Sequence, residues 1–203
     1  MTADTSRMTH IGLSETSALI RRRLKAAFPR VIFSVRSKRY SGGSSITVTW
    51  DDGPVDAAVQ AIVGQYQGGR FDASIDLAYH VTHWLLPNGT TEIATDPGSA
   101  DQRGTARREA NWMPHPDAKL VQFSVRHVFT TRRLSADLLR RCRDRLAERD
   151  VLFREVTITD GTFPVLSLHN AAAPCRPAWQ EDIYAAARRT HCVTAAIERT
   201  PST

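Results

Sequence analysis

Residues 28–54 read FPRVIFSVRSKRYSGGSSITVTWDDGP, and this stretch decides the predicted fold. Large apolar side chains occupy every second position on both sides of a segment rich in serine and glycine: Val31, Phe33 and Val35 before it, and Ile46, Val48 and Trp50 after it. Such alternation predicts two half-buried strands, residues 31–36 and 45–50, that pair as a β-hairpin around the turn-rich segment 40–45.

Helical spacing of apolar residues flanks this hairpin on both sides. Before it, Ser14 is a predicted N-cap of a first helix that Pro29 ends, with the apolar positions Leu19, Ile20, Leu24, Ala27 and Phe28. After it, a turn at residues 51–54 precedes a second helix, with the apolar positions Val55, Val59, Ile62, Val63 and Tyr66. Gly68-Gly69 ends this helix, so the first half has the order α-β-β-α.

The second half repeats this order. Apolar residues near strand spacing begin at Val121, and Ser135 is a predicted cap for a helix over 136–149. Residues 151–158 and 163–168 are predicted strands joined by an Asp160-Gly161 turn. A last helix is predicted over about 178–197. The predicted fold class is α+β, with two helix–hairpin–helix lobes on small antiparallel sheets. Internal duplication explains the repeated order, and so does the frequency of this unit in unrelated proteins.

Loop composition divides the chain between the two lobes. Gly, Pro, Ser, Asp and Arg dominate from residue 96 to 117, and no apolar period survives there. The prediction is therefore a domain over 1–95, a linker or long loop over 96–117, and a second lobe over 118–203.

Composition is that of a folded, basic protein. Among 203 residues, 41% are hydrophobic and 24% are charged, which excludes wholesale disorder, and no run is long and apolar enough for a membrane helix. The N-terminus has no apolar segment typical of a secretory signal, and three widely spaced cysteines favour a reducing compartment. These features predict a cytoplasmic protein that contacts no membrane.

The net charge of +6 is unevenly distributed. Residues 1–50 carry +7, residues 51–100 carry −6, and residues 101–203 carry +5. A uniform basic coat would indicate a non-specific binder of polyanions, whereas basic ends around an acidic middle predict that only part of the surface meets such a partner.

Several segments between residues 14 and 95 resemble large polyvalent protein-associated domain 29. The resemblance rests on an FSVR strand at 33–36, a turn formed by Tyr40, Ser41, Gly42, Gly43 and Ser44, a second turn formed by Trp50, Asp52, Gly53 and Pro54, and the Gly68-Gly69 pair. It implies association with bacteriophages, conjugative plasmids and other mobile elements, within a bacterial host cell. It implies no catalytic residue and no cofactor.

Two clusters of basic residues are candidates for contacts with nucleic acid. Arg36, Lys38 and Arg39, with Tyr40 beside them, form a basic and aromatic edge that can track a phosphate backbone. A second row comprises Arg132, Arg133, Arg140, Arg141, Arg143, Arg145 and Arg149, of which Arg140, Arg141 and Arg143 are the predicted contact residues. The alternative is a set of solvated or self-paired charges, since acidic residues are interleaved with the second row.

Two further motifs have both a functional and a structural interpretation. The glycines and serines of 41–45 can cradle a phosphate, or they can serve a hairpin turn. Asp51, Asp52 and Asp56 can bind a divalent metal, or they can form a turn and cap a helix.

His80 and His83 have a spacing compatible with zinc, but the remaining ligands would have to come from Cys175, His191 or Cys192, more than 90 residues away. In a strand the two histidines would face opposite ways. Metal binding is therefore not predicted.

The sequence favours a non-catalytic binding module of a mobile element, with a host (defence) protein or nucleic acid as its partner. One alternative is a metal-dependent nuclease using Asp51, Asp52 or Asp56, and another is a structural or assembly protein. No nucleophile–base set and no complete set of metal ligands is visible, which favours binding over catalysis.

Overall fold

The structure is a computed structural model, and it describes residues 8–97, 113–161, 164–168 and 178–190. Its α-helices are α1 (Leu13–Ala27), α2 (Asp56–Val63), α3 (Ala136–Ala147) and α4 (Ala178–Arg189), and short 3-10 helices occupy Gly64–Tyr66 and Val151–Glu155. Its strands are β1 (Thr9–Ile11), β2 (Ser34–Tyr40), β3 (Gly43–Asp51), β4 (Gly69–Asp72), β5 (Leu77–His80), β6 (Thr82–Leu85), β7 (Thr91–Thr95), β8 (Lys119–Phe123), β9 (His127–Arg133), β10 (Val156–Ile158) and β11 (Leu166–Leu168).

The described residues form two compact units. The first comprises residues 8–29, 33–48 and 59–130, and the second comprises residues 30–32, 49–58 and 131–190. Strand β8 and most of β9 group with the first half of the chain, and the division into domains 1–95 and 118–203 stays a prediction. Most of the predicted linker, residues 98–112, lies outside the described residues.

The first unit contains a four-stranded sheet in the order β1-β8-β6-β7. Strand β8 pairs with β1 in parallel and with β6 in antiparallel orientation, so Val121 lies opposite both Thr9 and His83. Strands β6 and β7 are antiparallel and flank a turn at residues 87–90. The same unit contains an antiparallel β4-β5 pair that the sequence analysis did not predict.

The predicted hairpin is present as β2 and β3. Only Ser41 and Gly42 separate the two strands, so they run antiparallel, since a parallel pair needs a much longer crossover. Val35, Ile46 and Val48 are buried, as predicted.

The boundaries of the hairpin differ from the prediction. Strand β2 begins at Ser34, so Val31 and Phe33 precede it and are only half-buried. The strands continue through most of the segment predicted as a turn, and β9 adds a third strand beside β3. The backbone hydrogen bonds that β9 supplies explain why β3 extends over nine residues.

Helix α1 begins one residue before the predicted cap. Gly12 occupies the N-cap position and no side chain caps the helix, so the predicted role of Ser14 is wrong. The hydroxyls of Thr16 and Ser17 instead donate to the carbonyl oxygens of Gly12 and Leu13, both at 2.9 Å. These bonds let two polar residues be buried against the core.

The second unit has a core formed by α3, α4 and the antiparallel β10-β11 pair. Ser135 caps α3 as predicted, accepting a hydrogen bond from the Leu138 amide at 3.1 Å. The predicted strand over 151–158 is wrong in its first part, because Val151–Glu155 forms a 3-10 helix. The 3-10 helix forms here for a local reason, because the Asp150 carboxylate accepts a hydrogen bond from the Leu152 amide and caps the helix.

The fold is therefore mixed α and β, with four α-helices and several small sheets among the described residues. Duplication of an α-β-β-α lobe stays a hypothesis. None of the helices within the described ranges is both long enough and apolar enough to cross a bilayer.

Candidate functional site

Strand β2 carries the predicted basic edge and is one of the two outer strands of the β2-β3-β9 sheet. Arg36, Lys38, Arg39 and Tyr40 are all exposed. Side chains alternate along a strand, so Arg36, Lys38 and Tyr40 share one face, which we call the β2 face, whereas Arg39 lies on the opposite one with Val35. In the part of the chain that the structure describes, none of these three cations has an acidic partner.

Gly43 and the Gly68-Gly69 pair, three glycines of the family-like segments, lie against residues 123–126. A Cβ on Gly43 would lie 3.2 Å from Arg126 Cδ, and a Cβ on Gly69 would lie 2.6 Å from Arg126 Cγ. A Cβ on Gly68 would overlap the carbonyl oxygen of Phe123. These glycines therefore let the hairpin turn and the Gly68-Gly69 segment pack closely on the end of β8 and the connection to β9, which follow 55 or more residues later.

Hydrogen bonds reinforce this packing, and they use the Ser44 hydroxyl and part of the Arg126 guanidinium as donors within the protein. The Arg126 guanidinium donates to the Gly42 carbonyl at 2.9 Å, and the Arg126 amide donates to the Ser44 carbonyl at 3.0 Å. The Ser44 hydroxyl donates to the Ser124 carbonyl at 2.9 Å. The arrangement favours the structural interpretation of the turn over a phosphate cradle.

The Trp50–Pro54 segment forms a tight turn closed by the tryptophan. The buried indole N–H donates to the Pro54 carbonyl at 3.0 Å. Asp52 and Gly53 both have positive φ, 50° and 43°, a conformation that aspartate tolerates and glycine prefers. A Cβ on Gly53 would also lie 3.1 Å from the Trp50 ring. The motif is therefore explained by turn geometry.

The three aspartates of this region serve different structural roles. The Asp52 carboxylate accepts from the amide and the hydroxyl of Ser135, at 2.8 and 2.6 Å, and thereby fixes the residue that caps α3. Asp51 pairs with Arg133 at 2.7 Å, and Asp56 is the first residue of α2. Asp52 is thus not the cap of α2, and the described residues contain no group of three or more metal-ligating side chains. In the described part of the chain, Asp51 and Asp52 are therefore engaged in contacts within the protein, and the nuclease alternative stays a hypothesis.

Arg132 holds the same turn from the other side. Arg132 belongs to the second row of basic residues described above. It lies on β9, and its guanidinium donates hydrogen bonds to five backbone carbonyls. The acceptors are Asp52, Gly53 at 3.1 Å, Ala187 at 3.1 Å, Arg188 at 3.0 Å and Thr190 at 2.6 Å. Three of these carbonyls are at the C-terminal end of α4, where a helix leaves its carbonyl groups unpaired and carries a partial negative charge.

Two of the three arginines predicted on α3 are engaged within the protein. Arg140 pairs with Asp137 and Asp160 at 2.8 and 2.9 Å, and the Asp160 partner raises the pKa of Arg140. Arg143 pairs with Asp144 and donates to the Val156 carbonyl. Arg141 is exposed, with no acidic partner in the described ranges.

The two histidines do not form a common site. His80 is exposed on β5, whereas His83 is only 3% exposed on β6, with its ring edge-on to Phe123. The Nδ1 atom of His83 is buried without a hydrogen-bond partner. Burial, together with the positive charge of Arg70, lowers the pKa of His83 to about 4, although Asp96 acts in the opposite direction. The other ligands considered for zinc, Cys175, His191 and Cys192, lie outside the described residues.

A cavity of about 350 Å³ opens beside His83. Its lining comprises Gln60, Gly64, Gln65, Gln67, Arg70, His83, Thr91 and Ile93. Arg70 forms an ion pair with the buried carboxylate of Asp96. No local sequence signal marks this cavity, because its polar residues come from α2, the chain that follows it, β4, β6 and β7, and none of them forms a recognisable motif.

His83 makes the stability of the protein depend on pH. The unfolded chain has an ordinary histidine pKa near 6.5, above the folded value of about 4, so the unfolded state binds more protons between these values. The stabilisation is present above pH 6.5 and is lost as pH falls toward 4. We expect the part of the unfolding free energy that depends on His83 to fall by about 2 kcal/mol between pH 7.5 and pH 5.

Urea titrations at the two pH values measure this loss. A His83→Phe variant should lose about 2 kcal/mol less than the wild type over the same interval. His80→Phe makes the same change at an exposed position and should keep the wild-type dependence. Equal pH dependence in all three proteins would contradict the assignment.

Comparison with known proteins gives one match. A family model described as large polyvalent protein associated domain 29 matches residues 11–135, more than half of the chain. The match continues beyond residue 95 and includes β8 and β9, together with the connection between them that packs against the motif glycines. No curated protein and no solved structure matches the chain.

Proposed function

We propose that this chain, which belongs to the large polyvalent protein associated domain 29 family, is a non-catalytic binding module that contacts nucleic acid through the β2 face. Family membership connects the chain with the polyvalent proteins of phages and other mobile elements. In that setting the nucleic acid is that of the element or of its bacterial host.

The β2 face is the single observation that carries the proposal. Arg36 and Lys38 lie on one exposed face of an outer strand without acidic partners in the described residues. Tyr40, two residues further along the same face, offers a ring on which a base can stack. An edge strand also uses lysine and arginine to prevent pairing with other strands, and that role requires no nucleic acid. The experiment must therefore separate the two roles.

Salt dependence separates them, because each phosphate contact releases condensed counterions. We expect the protein to bind a duplex oligonucleotide with an affinity that falls steeply with salt concentration. Changing Arg36 and Lys38 together to glutamine should reduce the slope of log K against log salt by about 1.8 on duplex DNA, since each contact contributes about 0.9. Fluorescence anisotropy titrations over a range of salt concentrations measure both quantities.

A matched control is available on α3. Arg141 and Arg145 are also exposed cations without acidic partners in the described part of the chain, so changing both to glutamine removes the same charge. This control should keep the wild-type slope. Equal losses in the two double variants would show a diffuse attraction of the whole basic protein rather than binding at the β2 face.

A host protein is the second candidate partner, and the β4-β5 hairpin favours it. Phe71, Ile75 and Leu77 are between 45% and 57% exposed there, an unusual density of large apolar side chains on one hairpin. Exposed apolar patches commonly mark protein interaction sites. If no complex with DNA or RNA forms at about 10 μM protein and 50 mM salt, where non-specific binders begin to associate, this alternative replaces the first.

A further inference from the structure

The cavity beside His83 has no role in the proposed contact of β2 with a phosphate backbone. Its volume of about 350 Å³ is at the lower end of the range for small-molecule sites. It lies wholly within the first unit, where α2, β4, β6 and β7 contribute its polar residues. We call it the His83 cavity.

Charges at the His83 cavity are balanced. The Arg70 guanidinium is already paired with the buried carboxylate of Asp96. The imidazole of His83 is neutral near pH 7, because burial and the charge of Arg70 lower its pKa to about 4. A cavity without net charge offers little to a phosphate or to a cation, since neither would find a counter-charge to replace its water shell.

Hydrogen-bonding capacity remains on two of the side chains that line the cavity. A neutral imidazole carries one donor and one acceptor, and His83 Nδ1 has no partner. Gln60 accepts from the Thr130 hydroxyl at 3.2 Å, and within the described residues no acceptor is bound to its amide N–H groups.

The other two glutamines of the cavity are occupied by the backbone. Gln65 bonds the Ile62 carbonyl and the Thr91 amide, and Gln67 bonds the Gly69 carbonyl and the Val128 amide. Gln65 and Gln67 are therefore held in place, and Gln60 and His83 are the side chains left to bond a ligand.

We propose that the His83 cavity binds the neutral nucleobase of a nucleoside. A base is planar and uncharged, and it displays adjacent donors and acceptors that a glutamine amide and an imidazole can pair. The side-chain amide of a free glutamine, as a competing ligand, carries the same donor and acceptor groups. It is much smaller than a base and would leave most of the cavity unfilled. The proposal does not depend on the β2 face, because a nucleoside carries no phosphate.

Free nucleosides are the probes that test the proposal. Adenosine, guanosine, cytidine and uridine are each titrated into the full chain at pH 7.5, and binding is measured by isothermal calorimetry and ligand-observed NMR. We expect at least one of the four to bind, with little dependence on salt concentration, since no charge is neutralised. Inorganic phosphate and free glutamine are titrated in parallel as the two competing chemistries.

Two variants test whether the nucleoside binds in the His83 cavity. His83→Phe removes both ring nitrogens, and Gly64→Ala adds a Cβ only 3.0 Å from the Gln60 amide nitrogen, which narrows the cavity at a flexible side chain. His83→Phe should weaken nucleoside binding by about tenfold or more, the usual loss when a bonded polar partner is removed, and Gly64→Ala should weaken it because less space is left for the base. His80→Phe, outside the cavity, should bind as the wild type does. Circular dichroism confirms that each variant is folded.

Three results would overturn the proposal. The first is that none of the four nucleosides binds at about 5 mM, a concentration that detects even weak ligands. The second is tighter binding of phosphate or glutamine than of any nucleoside. The third is wild-type affinity in both cavity variants. A failure of oligonucleotide binding at the β2 face leaves each of these results unaffected, so the two proposals are tested separately.

Discussion

The Gly68→Ala variant is expected to lose about 4 kcal/mol of its unfolding free energy, or to fail to fold. The added Cβ would overlap the carbonyl oxygen of Phe123, which is backbone and cannot rotate away. Gly68 cannot move either, because its amide donates to the Val125 carbonyl and its carbonyl accepts from the Val81 amide, both at 2.8 Å. Relieving the overlap would break bonds on one side or the other.

Urea titrations followed by far-UV circular dichroism measure this loss. Gly42→Ala is the matched control, because a Cβ there would meet only the edge of the Tyr40 ring at 4.0 Å. The control should stay within about 1 kcal/mol of the wild type, as ordinary surface changes do. A Gly68→Ala protein as stable as this control would contradict the close packing of the glycine pair on residues 123–126.

Replacing Arg132 with alanine is expected to cost about 3 kcal/mol. The change removes the donor that five backbone carbonyls share, two in the Asp52-Gly53 turn and three at the end of α4, although the Ala187 carbonyl still accepts from the Thr190 amide. Arg132→Lys should recover less than half of the loss, because an ammonium group lacks the planar arrangement of donors that reaches several carbonyls at once.

The neighbouring Arg133 supplies the control for this second prediction. Arg133 forms an exposed ion pair with Asp51, and such pairs contribute less than about 1 kcal/mol. Unfolding free energies of Arg132→Ala, Arg132→Lys and Arg133→Ala are compared in the same buffer. If Arg132→Ala costs no more than Arg133→Ala, the five hydrogen bonds do not support the second unit.

The local parts of the fold were predictable from short-range patterns. Alternating apolar residues predicted the β2-β3 hairpin, and Ser135 predicted the start of α3, because both signals depend on neighbours within a few positions. The β4-β5 pair was missed because Phe71, Ile75 and Leu77 point to solvent and give no alternation of buried residues. The 3-10 helix at Val151–Glu155 was missed because its residues suit a strand equally well.

The predicted functional residues divided along a similar line. Asp51 and Asp52 resemble a metal cluster only while their partners are unknown, and the structure supplies Arg133 and Ser135, more than 80 residues away. Arg140 and Arg143 likewise have partners within the protein, Asp160 and the Val156 carbonyl, and their contact with nucleic acid stays a prediction. The β2 residues and Arg141 have no such partner in the described chain, and the proposal rests on β2 because Tyr40 lies on the same face as two of its cations.

The sequence by itself determined the family, the hairpin, the cap of α3 and the uneven charge, because each is written in residues that are close together along the chain. Only the tertiary structure decided that residues 123–126 pack against the motif glycines. It also decided that Arg132 joins a turn to the end of α4 and that His83 is buried beside a cavity. Each of these contacts joins residues that are far apart in the sequence. A guanidinium or an imidazole is chemically the same in water and in a core, so its role depends on the partners that folding brings to it.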